Sequence, residues 1–356
     1  VDGARSRRDL DAAGLVERAR TGDARAGARL ISRVENGGPP GSTGVAAGGG
    51  GTPGNEGIVA GGGGGEGGDN PVLREVAAAL APYGGHAQVV GLTGSPGVGK
   101  STTTTALVSA LRGEGKRIGV LAVDPSSPFS GGALLGDRVR MQDHATDEGV
   151  FIRSMASRGQ LGGLSAAVPQ ALRVLDAARC DVVIVETVGV GQAEVEIASL
   201  ADTTMVLLAP GMGDGIQAAK AGILEIADVF VVNKADRDGA DQVARDLRYM
   251  QSLGGRHSEA GAWRPPIVKI SASRGEGIDK VVAALDKHRD WMEHHGELER
   301  RRRARAASEI EAIALAEVRR RLAGVHGSAA LDAAATRVVA GDTDPYSAAD
   351  GLLAAL

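Results

Sequence analysis

The segment 94–101, which reads Gly-Ser-Pro-Gly-Val-Gly-Lys-Ser, constrains this chain more than any other part of its sequence. It is preceded by QVVGLT (88–93), which predicts a short buried strand, and followed by STTTTALVSAL (101–111), which predicts a helix. Glycines allow such a loop to curl so that successive N–H groups point inward, and the helix adds the positive end of its dipole. A strand, this loop and a helix in that order indicate a site for the phosphates of a nucleoside triphosphate.

Two side chains of this loop have predicted roles. Lys100 is expected to reach the β- and γ-phosphates, and Ser101 is expected to hold Mg²⁺. Lys100 is therefore also a candidate catalytic residue. The other nucleotide-binding residues predicted in the loop and the first turn of the helix are Gly94, Ser95, Pro96, Gly97, Val98, Gly99 and Thr102.

Length and composition narrow the class of protein. A chain of 356 residues allows one large domain with appendages, or two domains. Hydrophobic residues make up 43% of the chain and aromatic residues only 2%, so the core must consist of Ala, Val, Leu and Ile. A formal net charge of −4 gives no overall basic field, which argues against nucleic acid as the main partner. The single cysteine, Cys180, excludes a disulfide framework and a zinc cluster of the cysteine type.

The sequence also bears on location. No apolar run reaches the roughly 18 residues that cross a bilayer, and the N-terminal residues do not resemble a signal peptide. We therefore expect a soluble, cytoplasmic protein without a membrane partner.

The first 70 residues divide into two parts. Apolar residues between 7 and 35 are spaced as in one or two amphipathic helices, which predicts an N-terminal helical segment over 1–36. From 37 to 68 the sequence is dominated by glycine, including runs of four and five. Such a tract buries little surface and loses much entropy on ordering, so we predict a flexible linker over 37–70. Residues 72–80 then predict a short helix.

Between 88 and about 270, strand-like apolar runs alternate with helix-like segments. Near-continuous β-branched runs are typical of strands buried on both faces, which predicts an α/β fold with a mostly parallel sheet covered by helices, over 71–297. Ligands of such sheets lie beyond the carboxyl ends of the strands. The predicted strands are QVVGLT (88–93), RIGVLAV (117–123), DVVIVET (181–187), TTMVLLA (203–209), DVFVVNK (228–234) and PIVKIS (266–271).

Beyond Ile278 the sequence predicts helices, and we assign 298–356 to a C-terminal helical arm. The basic cluster 300–303 is interpreted as a solvated helix face rather than a nucleic-acid patch. The tail 329–356 is expected to pack on the body of the protein or on a second subunit. A stripe of apolar residues at helical spacing follows the basic cluster: Ile310, Ile313, Leu315, Val318 and Leu322.

The segment Asn233-Lys234-Ala235-Asp236 directly follows a predicted strand. Asp236 can accept hydrogen bonds from the guanine N1–H and exocyclic amine together. Asn233 can bond the base edge and brace the phosphate loop, while the Lys234 stem lies over the ring. Adenine would leave Asp236 facing a lone pair, and each unsatisfied buried group costs about 1–3 kcal/mol, so the pattern favours GTP over ATP.

The segment Ser271-Ala272-Ser273 follows the next predicted strand. A backbone N–H at that place can meet the guanine O6. Alone the pattern would fit a helix N-cap equally well, but together with residues 233–236 it supports a guanine site.

Glu186 ends another predicted strand, at the place of the acid that orders Mg²⁺ and its waters in phosphate-loop enzymes. Gly189 can offer an N–H to the γ-phosphate. Where a glutamine follows such an acid by four residues it aligns the attacking water. Here that place is Val190, with Gln192 two residues further, so we predict slow intrinsic hydrolysis.

Further residues are candidate metal ligands or belong to loops that are expected to move with the nucleotide. Asp124, which ends the strand after the phosphate-loop helix, is predicted to approach the metal and to be catalytic together with Glu186. Asp137, in a glycine-rich stretch, is either a metal ligand in the GTP-bound state or part of a simple turn. A second candidate switch loop contains Asp214, Gln217 and Lys220.

Five segments together resemble the MeaB/ArgK family, the MMAA-type P-loop GTPases. They are GLTGSPGVGKST, VDPSSPFSGGALLGDRVRM, FIRSMASRGQLGGLS, ETVGVGQAE and NKAD. The resemblance covers about residues 7–36 and 71–354, and two stretches, SMASRGQLGGLS (154–165) and ETVGVGQAE (186–194), are far more specific than the phosphate loop. The long glycine insertion departs from the family pattern.

The resemblance implies a homodimeric GTPase that acts as a chaperone for adenosylcobalamin-dependent methylmalonyl-CoA mutase, gating cofactor loading and protecting or reactivating the mutase. It implies Mg²⁺ contacts for Ser101, Asp124, Asp137 and Glu186, a switch role for 214–220, and dimerisation through the C-terminal arm. Two alternatives remain: a nickel-type metallochaperone GTPase, which needs Cys or His at ligand spacing, and an ArgK-type transport-associated kinase or ATPase.

Overall fold

The computed structural model describes residues 11–36, 71–124, 144, 146–156, 167–187, 193–211, 223–253, 261–323 and 328–354. The predicted glycine-rich linker lies outside these residues. The described residues belong to two compact units: the first contains 11–36 and 72–305, and the second contains residue 71 and 306–354. The domain boundaries drawn from the sequence stay predictions.

The first unit is built on a parallel sheet of seven strands, which confirms the predicted fold class. The spatial order of the strands is β3-β2-β4-β1-β5-β6-β7. Strands β1, β4, β5 and β6 are buried along their whole length, as continuous runs of Val, Ile and Leu predict. The strands are β1 (Gln88–Thr93), β2 (Ile118–Asp124), β3 (Val150–Ala156), β4 (Val182–Thr187), β5 (Thr203–Leu208), β6 (Val229–Val232) and β7 (Ile267–Lys269).

Helices cover both faces of the sheet. One face packs against α4 and α9, and the other against α1, α2, α3, α5, α6 and α8. The helices of the first unit are α1 (Ala12–Arg20), α2 (Ala24–Asn36), α3 (Pro71–Leu80), α4 (Lys100–Gly113), α5 (Ala167–Ala177), α6 (Ala193–Leu200), α7 (Ile223–Ile226), α8 (Ala240–Leu253) and α9 (Ile278–His294). The next helix, α10 (Glu297–Ala323), begins in this unit.

The two N-terminal helices are part of the sheet's hydrophobic core. Leu15, Leu30 and Ile31 are almost fully buried, in one cluster with α5 and with side chains of β2 and β4. Arg153 of β3 also donates a hydrogen bond to Ser32 and forms an ion pair with Glu35, both on α2. The helices predicted over 1–36 therefore pack on the face that lies away from the phosphate-loop helix.

Strand β3 is an element that the sequence patterns did not predict. It pairs in parallel with β2 along its full length, at the edge of the sheet. Arg153 and Ser154 interrupt its apolar run, and most of its side chains are only half-buried. An edge strand is covered less completely than a central one, so its sequence carries fewer of the β-branched residues that mark a buried strand.

The amino ends of the strands carry a buried network of ion pairs. Asp202, just before β5, is fully buried and pairs with Arg302 at 3.0 Å and Arg305 at 2.8 Å. Asp228, just before β6, accepts a two-pronged contact from Arg301 at 2.8 and 2.9 Å. All three arginines lie in the first turns of α10. The interpretation of 300–303 as a solvated face is therefore wrong for Arg301 and Arg302.

The protonation states in this network follow from burial and charge. Burial opposes ionisation of Asp202 and is the largest influence, but the hydrogen bond from Arg302 and the charges of Arg305 and Arg302 outweigh it, so its pKa is lowered. Burial lowers the pKa of His288 to about 4, so its ring is neutral at pH 7. His288 shares a hydrogen bond of 2.9 Å with Thr203. His288 is thus a neutral neighbour of the ion pair between Asp228 and Arg301.

The second unit is helical, as predicted. After the remainder of α10 come α11 (Ala329–Val339) and α12 (Pro345–Ala354), which pack on each other. Ile310, Ile313, Leu315 and Val318 of α10 are 49–68% exposed. These four residues of the predicted apolar stripe are thus exposed to solvent in an isolated chain. Among the described residues, no helix is both long enough and apolar enough to span a membrane.

Replacement of Arg301 by Met is expected to destabilise the protein by about 3 kcal/mol, because it leaves the buried carboxylate of Asp228 without its cation. The matched control is Arg303→Met on the same helix, since Arg303 is 79% exposed and pairs only with the exposed Glu299 among described residues. This control should cost less than about 0.5 kcal/mol. Urea unfolding followed by circular dichroism measures both values, and equal losses would contradict the assigned role of Arg301.

Candidate nucleotide-binding site

The phosphate loop joins β1 to α4 and depends on glycine at two positions where no side chain fits. Gly94 has a φ of 140°, and a Cβ there would collide with the main-chain oxygen of Leu207 on β5. Gly99 has a φ of 94° and forms the N-cap of α4, where a Cβ would collide with the side-chain amide of Asn233. The loop is therefore wedged between the end of β5 and the Asn233 side chain, with the start of a helix at its exit.

Lys100 lies in the first turn of α4 and is buried. Its ammonium group donates to the main-chain oxygens of Gly94 at 2.6 Å and Ser95 at 3.2 Å. The side chain thus folds back over the loop that it follows in sequence. This position places a positive charge beside the loop's N–H groups, where phosphates are expected.

A buried hydroxyl–carboxylate cluster connects α4 to β4. Ser101 donates to Oε1 of Glu186 at 2.7 Å, and Thr104 donates to Oε2 at 2.9 Å. Glu186 is only 4% exposed and lies at the carboxyl end of β4. The structure therefore brings together the predicted metal-linked residues Ser101 and Glu186. Thr104 was missed by the sequence reasoning, although its position three residues after Ser101 places both on one side of the helix.

Asn233 links two loops that are distant in sequence. Its side-chain amide donates to the main-chain oxygen of Val98 at 2.8 Å, and its side-chain oxygen accepts from the N–H of Ala272 at 3.1 Å. Asn233 is 3% exposed. The predicted brace of the phosphate loop is thus present in the structure, and it extends to the segment 271–273.

Lys234 and Asp236 follow Asn233 in the same short segment after β6. Lys234 adopts a left-handed backbone conformation, with a φ of 58°, and its ammonium group donates to the main-chain oxygen of Gly97 at 2.7 Å. Asp236 accepts a hydrogen bond of 2.8 Å from the Ser271 hydroxyl, which lowers the pKa of its carboxyl group. Arg274, which the sequence analysis did not single out, lies 3.4 Å from the other carboxylate oxygen. Asp236 is therefore an ionised acceptor at neutral pH.

The segment 271–273 is a tight turn after β7. The N–H of Ser271 bonds to the main-chain oxygen of Glu276 at 3.0 Å, while the N–H of Ala272 is directed to Asn233 as described above. Ser273 is exposed. Residues of the predicted base site thus converge from β6 and β7 at the carboxyl edge of the sheet.

The remaining predicted residues are described only in part. The main chain of Asp124 ends β2, beside Ala156 of β3, and its side chain lies outside the described residues. Gly189, Asp137, and the switch residues Asp214, Gln217 and Lys220 lie outside the described residues altogether. Their predicted roles stay predictions.

The donor set of the site suits Mg²⁺. The Ser101 hydroxyl and the Glu186 carboxylate are hard oxygen ligands, and Mg²⁺ is commonly held by one or two such protein groups together with water and phosphate oxygens. Within the described ranges, no cluster of three His, Cys, Asp or Glu side chains could hold a metal ion alone. Cys180 lies at the opposite end of β4 from Glu186, and burial raises the pKa of its thiol to about 12, which makes it a poor metal ligand at neutral pH.

The parallel sheet, the phosphate loop and the convergent loops at one edge define an α/β P-loop nucleotide-binding protein. The family model described as "Methylmalonyl Co-A mutase-associated GTPase MeaB" matches residues 69–326. The chain belongs to this family of GTPases, and the resemblance seen in the sequence is confirmed.

Individual relatives agree with this assignment. A putative GTPase of Pyrococcus abyssi is 43% identical over 339 residues, which cover 95% of each chain. The mitochondrial "methylmalonic aciduria type A homolog" of Caenorhabditis elegans is 38% identical over 215 residues, which cover 60% of this chain and 54% of the relative. Among solved structures, a "LAO/AO transport system kinase" superposes with a TM-score of 0.64 at 26% identity, covering 96% of both chains.

The close approach of Gly99 to Asn233 leads to a test on the nucleotide-free protein. Gly99→Ala and Gly97→Ala both place a side chain at positive φ, which costs about 1–2 kcal/mol each. A Cβ at Gly97 meets nothing within 4 Å, whereas one at Gly99 displaces the Asn233 amide. Gly99→Ala should therefore cost a further 1 kcal/mol or more, roughly the value of a buried hydrogen bond. Equal losses in thermal unfolding would mean that Asn233 does not brace the loop.

Proposed function

We propose that this protein binds and slowly hydrolyses GTP and acts as a chaperone for an adenosylcobalamin-dependent methylmalonyl-CoA mutase. The family match carries this proposal, since it extends over residues 69–326, which include all seven strands and the phosphate loop, and the family's description names mutase association. The name of the Caenorhabditis elegans relative refers to methylmalonic aciduria, which supports a link to methylmalonyl metabolism. The nucleotide would drive a change in how tightly the protein holds the mutase.

The choice of guanine rests on Asp236. Its carboxylate is ionised and oriented by Ser271, so it can only accept hydrogen bonds. Guanine presents two adjacent donors, N1–H and the exocyclic amine, whereas adenine presents an acceptor at N1. Asn233 and Lys234, from the same short segment as Asp236, donate hydrogen bonds to the phosphate loop. The proposed base site and the phosphate loop would therefore move together.

The phosphates would be bound by the main-chain N–H groups of the loop and by Lys100. Since Lys100 already donates to oxygens of the loop, its ammonium group can exchange them for phosphate oxygens without leaving the loop. Mg²⁺, when bound, neutralises charge on the β- and γ-phosphates. The Ser101 hydroxyl would bind the ion directly, and Glu186 would accept the proton of that hydroxyl. Asp124 and Asp137 are proposed to be further acidic residues of the metal site.

Hydrolysis is proposed to be slow because Val190 stands where a water-aligning glutamine would be expected. Gly189 is proposed to contact the γ-phosphate, and the segment 214–220 to move with the nucleotide. An intrinsically slow GTPase suits a chaperone, because the bound state must last long enough for the client to respond.

A homodimer is proposed to form through the C-terminal arm. The exposed apolar stripe of α10 consists of Ile310, Ile313, Leu315 and Val318. A second copy of the chain would remove this stripe from water, which contributes roughly 25 cal/mol per Å² of apolar surface.

A second candidate function is that of a transport-associated kinase. It is favoured by the similarity to the solved structure whose title is "LAO/AO transport system kinase". A kinase would place the terminal phosphate on an acceptor, whereas a GTPase releases it as inorganic phosphate.

Asp236→Asn is expected to shift base preference from guanosine to xanthosine triphosphate by at least a hundredfold, because an amide can donate to the C2 oxygen of xanthine. Competition against a fluorescent GDP analogue measures this ratio. Arg274→Gln is the control, since it keeps the carboxylate and alters only its neighbour at 3.4 Å. An unchanged ratio in Asp236→Asn would show that this residue does not read the base.

The client and the oligomeric state can be tested in one set of sedimentation-velocity runs. The chain alone is expected to sediment as a dimer. With methylmalonyl-CoA mutase it is expected to form a larger complex whose affinity differs at least fivefold between GDP and a non-hydrolysable GTP analogue. In the control variant Lys100→Ala, which should lose tight nucleotide binding, this nucleotide dependence should disappear.

Two outcomes would contradict the proposed function. One is a mutase mixture in which the two proteins sediment separately with both nucleotides. The other is the appearance of terminal phosphate from labelled GTP or ATP on an acceptor instead of in solution, which would support the kinase.

A further inference from the structure

We propose that Thr104 is a positioning residue that fixes the carboxylate of Glu186 and thereby sets the affinity of the site for Mg²⁺. This inference rests on the proposed function of Ser101 and Glu186 at the nucleotide's metal ion. It concerns a residue outside the P-loop motif, and it follows from the hydroxyl–carboxylate cluster between α4 and β4.

The first step is the orientation of the Glu186 carboxylate. The terminal torsion of a glutamate side chain has broad minima, so one hydrogen bond does not fix the plane of the carboxylate. Here the two oxygens are anchored separately, one by Ser101 at 2.7 Å and the other by Thr104 at 2.9 Å. Both anchors belong to α4, so the carboxylate is held in register with the helix that opens the phosphate loop.

The second step concerns the direction of the single hydroxyl proton of Ser101. A hydroxyl has one proton to donate and two lone pairs. With its proton directed at Glu186, the Ser101 oxygen can meet a cation only through a lone pair. The direction of that proton depends on where Oε1 lies, and Oε1 is held in place by the contact of Oε2 with Thr104. Thr104 would therefore act on the metal through two other residues without touching it.

The third step separates Thr104 from its neighbours. Four consecutive threonines, 102–105, follow Ser101. Thr103 donates to the main-chain oxygen of Gly99 at 2.9 Å, and Thr105 to that of Ser101 at 3.0 Å. These are ordinary contacts of helical threonines with the carbonyl four residues earlier. The Thr104 oxygen lies 3.1 Å from the main-chain oxygen of Lys100 in the same way, but it also lies 2.9 Å from the buried carboxylate, and its single proton favours this charged acceptor.

Thr103 provides a matched control, because it is as fully buried as Thr104. The experiment uses the full chain loaded with GDP and measures Mn²⁺, as a probe for Mg²⁺, by the electron paramagnetic resonance signal of the free ion. The variants are Thr104→Val, Thr104→Ser, Thr104→Cys and Thr103→Val. GDP affinity in excess chelator and thermal unfolding are measured on the same samples.

Thr104→Val is expected to weaken Mn²⁺ binding on the order of 10–100-fold, the usual effect of losing a partner that orients a metal ligand. Its GDP affinity without metal should stay within about twofold. Thr104→Ser, which keeps the hydroxyl, should restore Mn²⁺ binding to within about threefold of the native value. Thr104→Cys has a weaker hydrogen-bond donor of similar size, so its Mn²⁺ affinity should lie between those of the valine and serine variants. It replaces Thr104→Val in the comparison if the valine variant does not fold. Thr103→Val should bind Mn²⁺ like the native chain.

Native-like Mn²⁺ binding in Thr104→Val, or in Thr104→Cys where the valine variant does not fold, would overturn the inference. An equal loss of Mn²⁺ affinity in Thr103→Val would overturn it too, because the loss would then come from a change in the helix and not from the Glu186 carboxylate. A native chain that binds GDP but no Mn²⁺ would overturn it as well. If the native chain retains no GDP at all, the proposed function itself fails, which is a distinct result.

Discussion

The central strands of a parallel sheet that is covered on both faces have room for charged side chains only at their two ends. In this protein both ends are used. The carboxyl ends carry Glu186, Asn233 and Asp236, and the amino ends carry Asp202 and Asp228. Each buried carboxylate is paired with groups from a helix, α4 at one end and α10 at the other. The apolar middle of the sheet therefore fixes the spacing of two polar layers with different roles.

Much of this arrangement could be predicted from the sequence, because its signals are local. Six of the seven strands are runs of apolar, largely β-branched residues, and the phosphate loop carries its motif in eight consecutive residues. Strand β3 escaped prediction because Arg153, which contacts α2, and the neighbouring Ser154 break its apolar pattern. The edge of a sheet is thus the place where strand patterns are weakest.

The parts that could not be predicted depend on contacts between distant segments. Thr104 and Glu186 are 82 residues apart in sequence, and Arg301 and Asp228 are 73 apart. A run of four arginines on a helix resembles a solvated face until the strand ends beneath it are known. By contrast, the contact of Asn233 with the phosphate loop was expected from the sequence, and Asn233 does bond to Val98. A short motif can thus predict a contact between distant segments, which composition cannot do.

The lone cysteine has a practical consequence for spectroscopy. Cys180 is buried, and because its pKa is raised to about 12, the reactive thiolate is scarce at neutral pH. A second cysteine engineered on the surface would therefore react with a maleimide dye while the natural one stays protected. The unmodified chain is for this reason a ready background for site-directed fluorescent or spin labels, without prior removal of its own sulfhydryl.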